Sequence, residues 1–347
     1  MTSKERVRNV ILHKYVDKVP ADFDAVPHVQ EKLIKHFGFS NIHQVKDKFE
    51  IDICDIGPDY IGPELKKYKI EGDDVTEDHL GHHVRNHWTG TEYNGLCCYY
   101  PFNNFTTVEE IENFSWSNPD HFDYESIKKQ IDTNKDKAII IGHEGPFQVA
   151  TFLRETDKLF MDMALKPEFA HKIYNRLVEF ELEYYERIFI AGDGQIDILR
   201  THDDYGTQIS TLFSLDMWRE YFAENTKKLT DLAHKYGAFF MQHSCGAIRP
   251  VIPDLIKCGV DVLDPIQKVT GLDPQSLKDE FGTEIAFHGG IDTQGVLPFG
   301  STSDVKNETK RFISILGEGS GYILCSSQGL GGDVPLENIE AMYSVPR

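Results

Sequence analysis

Residues 237–250 read GAFFMQHSCGAIRP. Apolar and aromatic side chains run directly into His243-Ser244-Cys245-Gly246, so a segment built for a protein interior ends in an imidazole and a thiol one residue apart. Strand side chains alternate between faces, which puts His243 and Cys245 on the same one. The habit recurs on either side of this stretch. KAIIIGHEGPF, IDILRTHDDYG, VDVLDPIQ, IAFHGGID and GYILCSSQGL each begin apolar and end in a polar cluster: His143-Glu144, His202-Asp203-Asp204, Asp264, His288 with Asp292, and Cys325. Segments of helical period lie between them, among them LDMWREYFAENTKKLTDLAHKYG and STSDVKNETKRFISILGEG. This alternation predicts parallel βα units. Six late strands with two early ones, VPADF and IDICDI, make an α/β fold of the (β/α)8 TIM-barrel kind, whose strand ends converge on one rim. A doubly wound sheet would want a glycine-rich phosphate turn after its first strand, and no GxGxxG follows one here.

The chain of 347 residues is 40% hydrophobic and 12% aromatic, enough for a sizeable core. It reads as a single domain, 1–347. An irregular N-terminal part, 1–130, holds a basic starting helix, the first strands and a hairpin at HHVRNHWTGTEYNGLCCYYP; regular βα units fill 131–347. A net charge of −20 repels phosphate backbones and anionic lipid, which argues against nucleic-acid and membrane partners. The N-terminus lacks the apolar run of a signal peptide. Six cysteines in so long a chain make no disulfide framework and are expected to be thiols of a reducing cytoplasm.

His243-x-Cys245 offers one nitrogen and one sulfur to a single ion. Zinc accepts that mixture, and catalytic zinc sites use three protein ligands with one position open. Cys325, at the end of the last strand, is the natural third ligand, although a lone strand cysteine is more often a small buried hydrophobe. His202-Asp203-Asp204 is a source of acid/base groups, an anchor for a ligand histidine, or a solvated loop. Asp203 and Asp204 point opposite ways, so only one faces the site. Glu144 is a rim carboxylate or an early-turn helix charge. Cys97-Cys98 reads as structural or incidental, Cys258 as core, and His82, His83 and His87 as hairpin surface.

HSCGAIRPVIPDLIKCGVDVLDPIQ, FHGGIDTQGVLPFGS and GYILCSSQGLGGDVPLENIEAM together resemble the C-terminal half of the uroporphyrinogen decarboxylase superfamily. SKERVRNVILHKYVDKVPADF and DILRTHDDYGTQISTLFSLDMWREYF fit the same family, so the likeness spans nearly the whole chain. It implies the (β/α)8 barrel and one of two chemistries. True decarboxylases hold a porphyrinogen tetracarboxylate with an N-terminal arginine-bearing motif, and the matching DKVPADFDAVPHVQ has no arginine. The other branch comprises zinc-dependent methyltransferases that exchange methyl groups with a corrinoid carried by a partner protein. Its zinc motif, HxC and a distant Cys, is similar to His243, Cys245 and Cys325.

That resemblance implies Zn2+ and a corrinoid (cobalamin) as cofactors and a small methyl donor, a methoxylated aromatic or a methylamine. Asp204, Glu144 and His202 are then candidate catalytic groups, and Asp203, Tyr205, Gln208 and Asp292 candidate substrate contacts. The chain departs from the pattern at one point. The family's last cysteine precedes a glycine where this chain has Gln328-Gly329, which leaves Glu144 and Asp204 as alternatives to Cys325. A methylcorrinoid:thiol methyltransferase, a metal-free decarboxylase working through a rim aspartate, and an inactive barrel kept for binding are the competing readings.

Overall fold

The computed structural model describes residues 1–347. Seven parallel strands form one sheet in sequence order: β1 (Ile53–Asp55), β2 (Ala138–Glu144), β3 (Ile198–His202), β4 (Phe239–His243), β5 (Val262–Asp264), β6 (Ala286–His288) and β7 (Tyr322–Ile323). VPADF, expected as a further strand, supplies only an isolated parallel bridge from Ala21 to Leu324. Pro20 explains part of this, since proline has no N–H to give a ladder. The segment still sits between last strand and first: Leu324 N–H donates to Pro20 O at 2.9 Å, and Asp52 N–H to Ala21 O at 2.8 Å. The sheet is curled and TIM-barrel-like, with a thin seam at this point.

The two-residue period of the strands sorts the interior into layers. Ile53, Ile140, Ile198, Met241, Val262, Ala286 and Ile323, one from each strand, belong to a single buried apolar cluster. Val7, Val10 and Ile11 complete it from the helix Ser3–Ile11, which plugs the N-terminal mouth of the sheet. Each Val, Ile or Met side chain among them, once buried, contributes about 1.5–3 kcal/mol. A capping box starts this helix: Thr2 Oγ1 accepts from Glu5 N–H, and Glu5 returns the bond to Thr2 N–H. Its basic residues have partners at the foot of the sheet, Arg6 with Asp17 and the buried Asp52, Lys4 and Arg8 with the buried Asp197.

Two residues further along every strand the interior becomes polar. The successors are Asp55, Gly142, Arg200, His243, Asp264, His288 and Cys325. Gly142 is the exception for a steric reason: it has φ +145°, and a Cβ there would collide with the Arg200 carbonyl. The apolar floor ends at one level, and a ring of charge and thiol begins above it.

Outside the strands a second, larger cluster packs them against the helices. The longest helix, Pro167–Gly192, carries Glu181 into this layer, 1% exposed and with neither carboxylate oxygen partnered. Burial pushes its pKa well above 4.5, with Asp203 and Glu144 adding to the effect. A carboxyl raised in the folded state stabilises the fold fully below its unfolded pKa, and that contribution is lost as pH climbs toward the folded value. Glu181→Gln is therefore expected to match the wild type near pH 4 and to exceed it by about 1–3 kcal/mol at pH 8 in urea unfolding. Equal stabilities at both pH values would refute this.

The expected hairpin forms as His83–Trp88 against Tyr93–Tyr99, inside a four-stranded antiparallel sheet with Lys67–Ile70 and Asp73–Glu77. Its tip leans on the loop after β7, where Gly332 N–H donates to Glu92 Oε2 at 2.8 Å. No helix is long and apolar enough to cross a membrane.

Candidate metal centre at the strand ends

β4 delivers His243 to the polar layer, and Ser244 then turns the chain so that Cys245 stands beside it. His243 Nε2 lies 3.3 Å from Cys245 Sγ and 3.7 Å from Asp204 Oδ1. Asp204 comes from the loop after β3 and is locked to the same turn, accepting from Cys245 N–H at 2.8 Å. The three ligand atoms lie within 4.8 Å of one another. A tetrahedral zinc with bonds of about 2.0–2.1 Å to nitrogen and about 2.3 Å to sulfur spaces its ligand atoms roughly 3.3–3.7 Å apart. The observed separations fit such an ion.

The other imidazole nitrogen is already held: His243 Nδ1 is 2.8 Å from Asp264 Oδ2. A carboxylate on the far nitrogen fixes the tautomer and aims Nε2 at the open side, the support that metal-binding histidines commonly have. The His243 side chain is 16% exposed and that of Asp204 46%, so the cluster opens to solvent. Without a cation nearby the thiol is held protonated: burial raises its pKa, and the Asp204 charge raises it further.

Asp264 serves two imidazoles. Its Oδ1 is 2.6 Å from His288 Nδ1, and His288 Nε2 is 3.2 Å from Asp22 Oδ2. Burial opposes ionisation of Asp264, but His288 and His243 outweigh it and keep the carboxyl well below its usual range. Burial likewise opposes charge on His288, but Asp264 and Asp22 outweigh it and raise its pKa well above the usual imidazole value. Arg200 reaches Asp55 at 3.3 Å and also feels Asp264, Asp22 and Asp24. Asp24 and Asp55 are open to water in the mouth although the surrounding protein raises both pKa values, that of Asp55 to about 6.

The other expected site residues are dispersed. His202 packs its ring 4.6 Å from that of His243; burial first, then His243 and Arg200, push its pKa down to about 2, and its Nε2 has no partner. Glu144 stands exposed at the end of β2, in register with His202. Asp203 points away from the mouth: buried, it caps the helix Pro146–Leu153 through Gln148 N–H at 2.9 Å and accepts from Tyr205 OH at 3.1 Å. Tyr205 is 1% exposed and packs among Phe147, Trp218 and Phe222. Both lie buried behind the sheet, away from the mouth. Gln208 is exposed on the loop after β3, and Asp292 is buried, turning its own loop through Gln294 N–H at 2.9 Å.

Cys325 does not join His243 and Cys245. It groups instead with Asp22 and His288 in the closed interior. The side chain that does reach Cys245 from the end of the chain is Gln328, whose Nε2 donates to Sγ. Gln328 thus stands beside Cys245, and the third candidate ligand atom grouped with His243 and Cys245 is Asp204 Oδ1.

A family model described as uroporphyrinogen decarboxylase (URO-D) matches residues 100–347. Among solved structures, a methyltransferase from Methanosarcina mazei overlays 99% of this chain and 97% of its own, with a TM-score of 0.67 and 19% identity. At that identity the likeness is one of fold. No curated protein matches the chain.

Proposed function

Because the chain belongs to the uroporphyrinogen decarboxylase family, we propose that it uses this barrel as a zinc-dependent methyltransferase, moving a methyl group from a small donor to the cobalt of a corrinoid carried by another protein. The observation that carries the reading is the convergence of His243 Nε2, Cys245 Sγ and Asp204 Oδ1 at the open end, with Asp264 behind the histidine. The methyltransferase name of the solved structure sharing its fold supports transfer over decarboxylation. Zinc bound by these three residues supplies a Lewis acid for the donor's heteroatom.

The chain's own groups do the rest. Asp264 keeps His243 in the tautomer that presents Nε2. Neutral His202 packs its ring against that of His243 and helps hold it in place. Glu144, exposed beside it, relays a proton from solvent to the leaving heteroatom as that atom's bond to the methyl carbon breaks. Gln208 on the outer loop is the remaining candidate substrate contact. A methoxylated aromatic or a methylamine is the expected donor, and the open mouth admits a corrinoid protein face-on. The test is the absorbance of added cob(I)alamin with candidate donors: conversion to methylcob(III)alamin that requires this protein supports the reading. No conversion with any methoxyarene or methylamine overturns it.

A tetracarboxylate is the wrong ligand for this mouth. Asp24, Asp55, Glu144 and Asp204 face solvent there, and the one guanidinium, Arg200, is engaged by Asp55. Carboxylates bound without a cationic partner are costly. Uroporphyrinogen is therefore expected to stay unchanged, as read by porphyrin chromatography after oxidation; coproporphyrinogen formed at enzyme-like rates would contradict this.

A further inference from the structure

The misplaced Cys325 builds a second constellation that the function above leaves unused. Asp22, His288 and Cys325 are 7%, 3% and 1% exposed, and their ligand atoms lie within 4.8 Å of one another. The arrangement repeats the one at the rim. Asp264 pins His288 through Nδ1, as it pins His243, and Nε2 turns toward a carboxylate and a thiol. The separation of 3.2 Å between His288 Nε2 and Asp22 Oδ2 suits two ligands of one ion. We propose that Asp22, His288 and Cys325 hold a second divalent ion of the zinc type, buried and structural, distinct from the ion at the open rim.

Two features argue for it. The first is charge. Asp22 and Asp264 are both buried carboxylates, and the nearest permanent cation, Arg200, also answers Asp55. The interior therefore needs a positive charge at the position of His288. In the ion-free chain a proton on the imidazole meets that need. A divalent ion meets it without changing the group's net charge: the Asp22 carboxylate and a Cys325 thiolate neutralise its two charges, while His288 becomes neutral and still donates Nδ1–H to Asp264. Two protons, one from His288 and one from Cys325, leave to solvent as the ion enters.

The second is position. Asp22 lies on the segment around the Ala21 bridge and Cys325 at the end of β7, so the pair straddles the seam where the sheet is thinnest. A clip joining segments far apart in sequence closes a long loop, which is what an ion held at this seam would do. The proposal does not depend on the rim ion or on methyl transfer.

The test uses Co(II) as the probe on chelator-treated protein, with the rim thiol removed first. The Cys245→Ser variant is expected to take up one tight Co(II) with a near-ultraviolet thiolate-to-cobalt band, two protons released per ion, and a raised unfolding midpoint. Adding Cys325→Ser is expected to abolish the band and weaken Co(II) binding at least 100-fold. No thiolate band in Cys245→Ser overturns the proposal, and so does a band that survives in the double variant. If the double variant fails to fold, the Cys245→Ser titration still decides, with Asp22→Asn in that background as the second perturbation.

Discussion

Removing the rim pair in a His243→Ala, Cys245→Ser variant is expected to lower metal content by one ion per chain and to cut methylation of cob(I)alamin by on the order of 10³-fold. The magnitude follows from losing a Lewis acid worth several kcal/mol of transition-state stabilisation, at about 1.36 kcal/mol per factor of ten. The two residues are chosen because Asp204 alone cannot hold an ion against a metal-buffered solution: one exposed carboxylate is a weak zinc site. Asp204→Asn keeps the shape of the turn and its bond to Cys245 N–H, so its expected effect is smaller, at least a tenfold loss of affinity, or about 1.4 kcal/mol. Cys325→Ser separates the rim from the interior, since Cys325 lies in the other group. It should leave the rim ion and cob(I)alamin methylation intact. Metal analysis on the four proteins, read beside the cob(I)alamin spectrum, checks all of this. Rim metal retained in the double variant, or methylation unchanged without it, would remove the basis for the metal-centred reaction.

The alternation of apolar strands with helical segments was enough to predict the barrel, because period and length are local properties. Local properties also put His243 and Cys245 on one face. They could not say which strand ends are neighbours around the sheet. β4 to β7 follow one another in order, so His243, Asp264, His288 and Cys325 stand on successive strands. Strands about 4.8 Å apart leave Cys325 some 14 Å along the wall from His243, beyond the reach of a shared ion. The same order makes Asp264 the carboxylate between two imidazoles, a role that no spacing in the sequence announces. Gln328 escapes the limit because it lies past the strand, on a loop that can fold back to Cys245. Asp203 falls elsewhere for a simpler reason: the alternation that aims His202 inward and Asp204 at Cys245 sends Asp203 to the helix behind.

Asp264→Asn should be the most damaging single change in the interior. The carboxylate offers one oxygen to each imidazole, 2.8 Å from His243 Nδ1 and 2.6 Å from His288 Nδ1. An asparagine of the same size offers one oxygen and one NH2, so one imidazole must face a donor. The charge is lost as well, and the imidazolium of His288 keeps only Asp22 as a close counter-charge. Leaving a buried ion short of its partner costs about 3–5 kcal/mol. The cost has a pH signature. His288 has its pKa raised in the folded chain, so the stability it contributes is complete below the unfolded value and fades as pH rises through the folded one. In chelator, the gap between wild type and Asp264→Asn in urea midpoints should therefore be widest below about pH 6.5 and should narrow as pH rises through the raised folded value. At the rim the same substitution frees His243 to rotate or change tautomer, and loss of such a support typically weakens a metal site by about 10–100-fold. A competition titration for zinc at pH 7.5 reads that effect separately from unfolding. If the midpoint gap is flat with pH, the two imidazoles are not electrostatically tied through Asp264, and the link between the rim and the buried group fails with it.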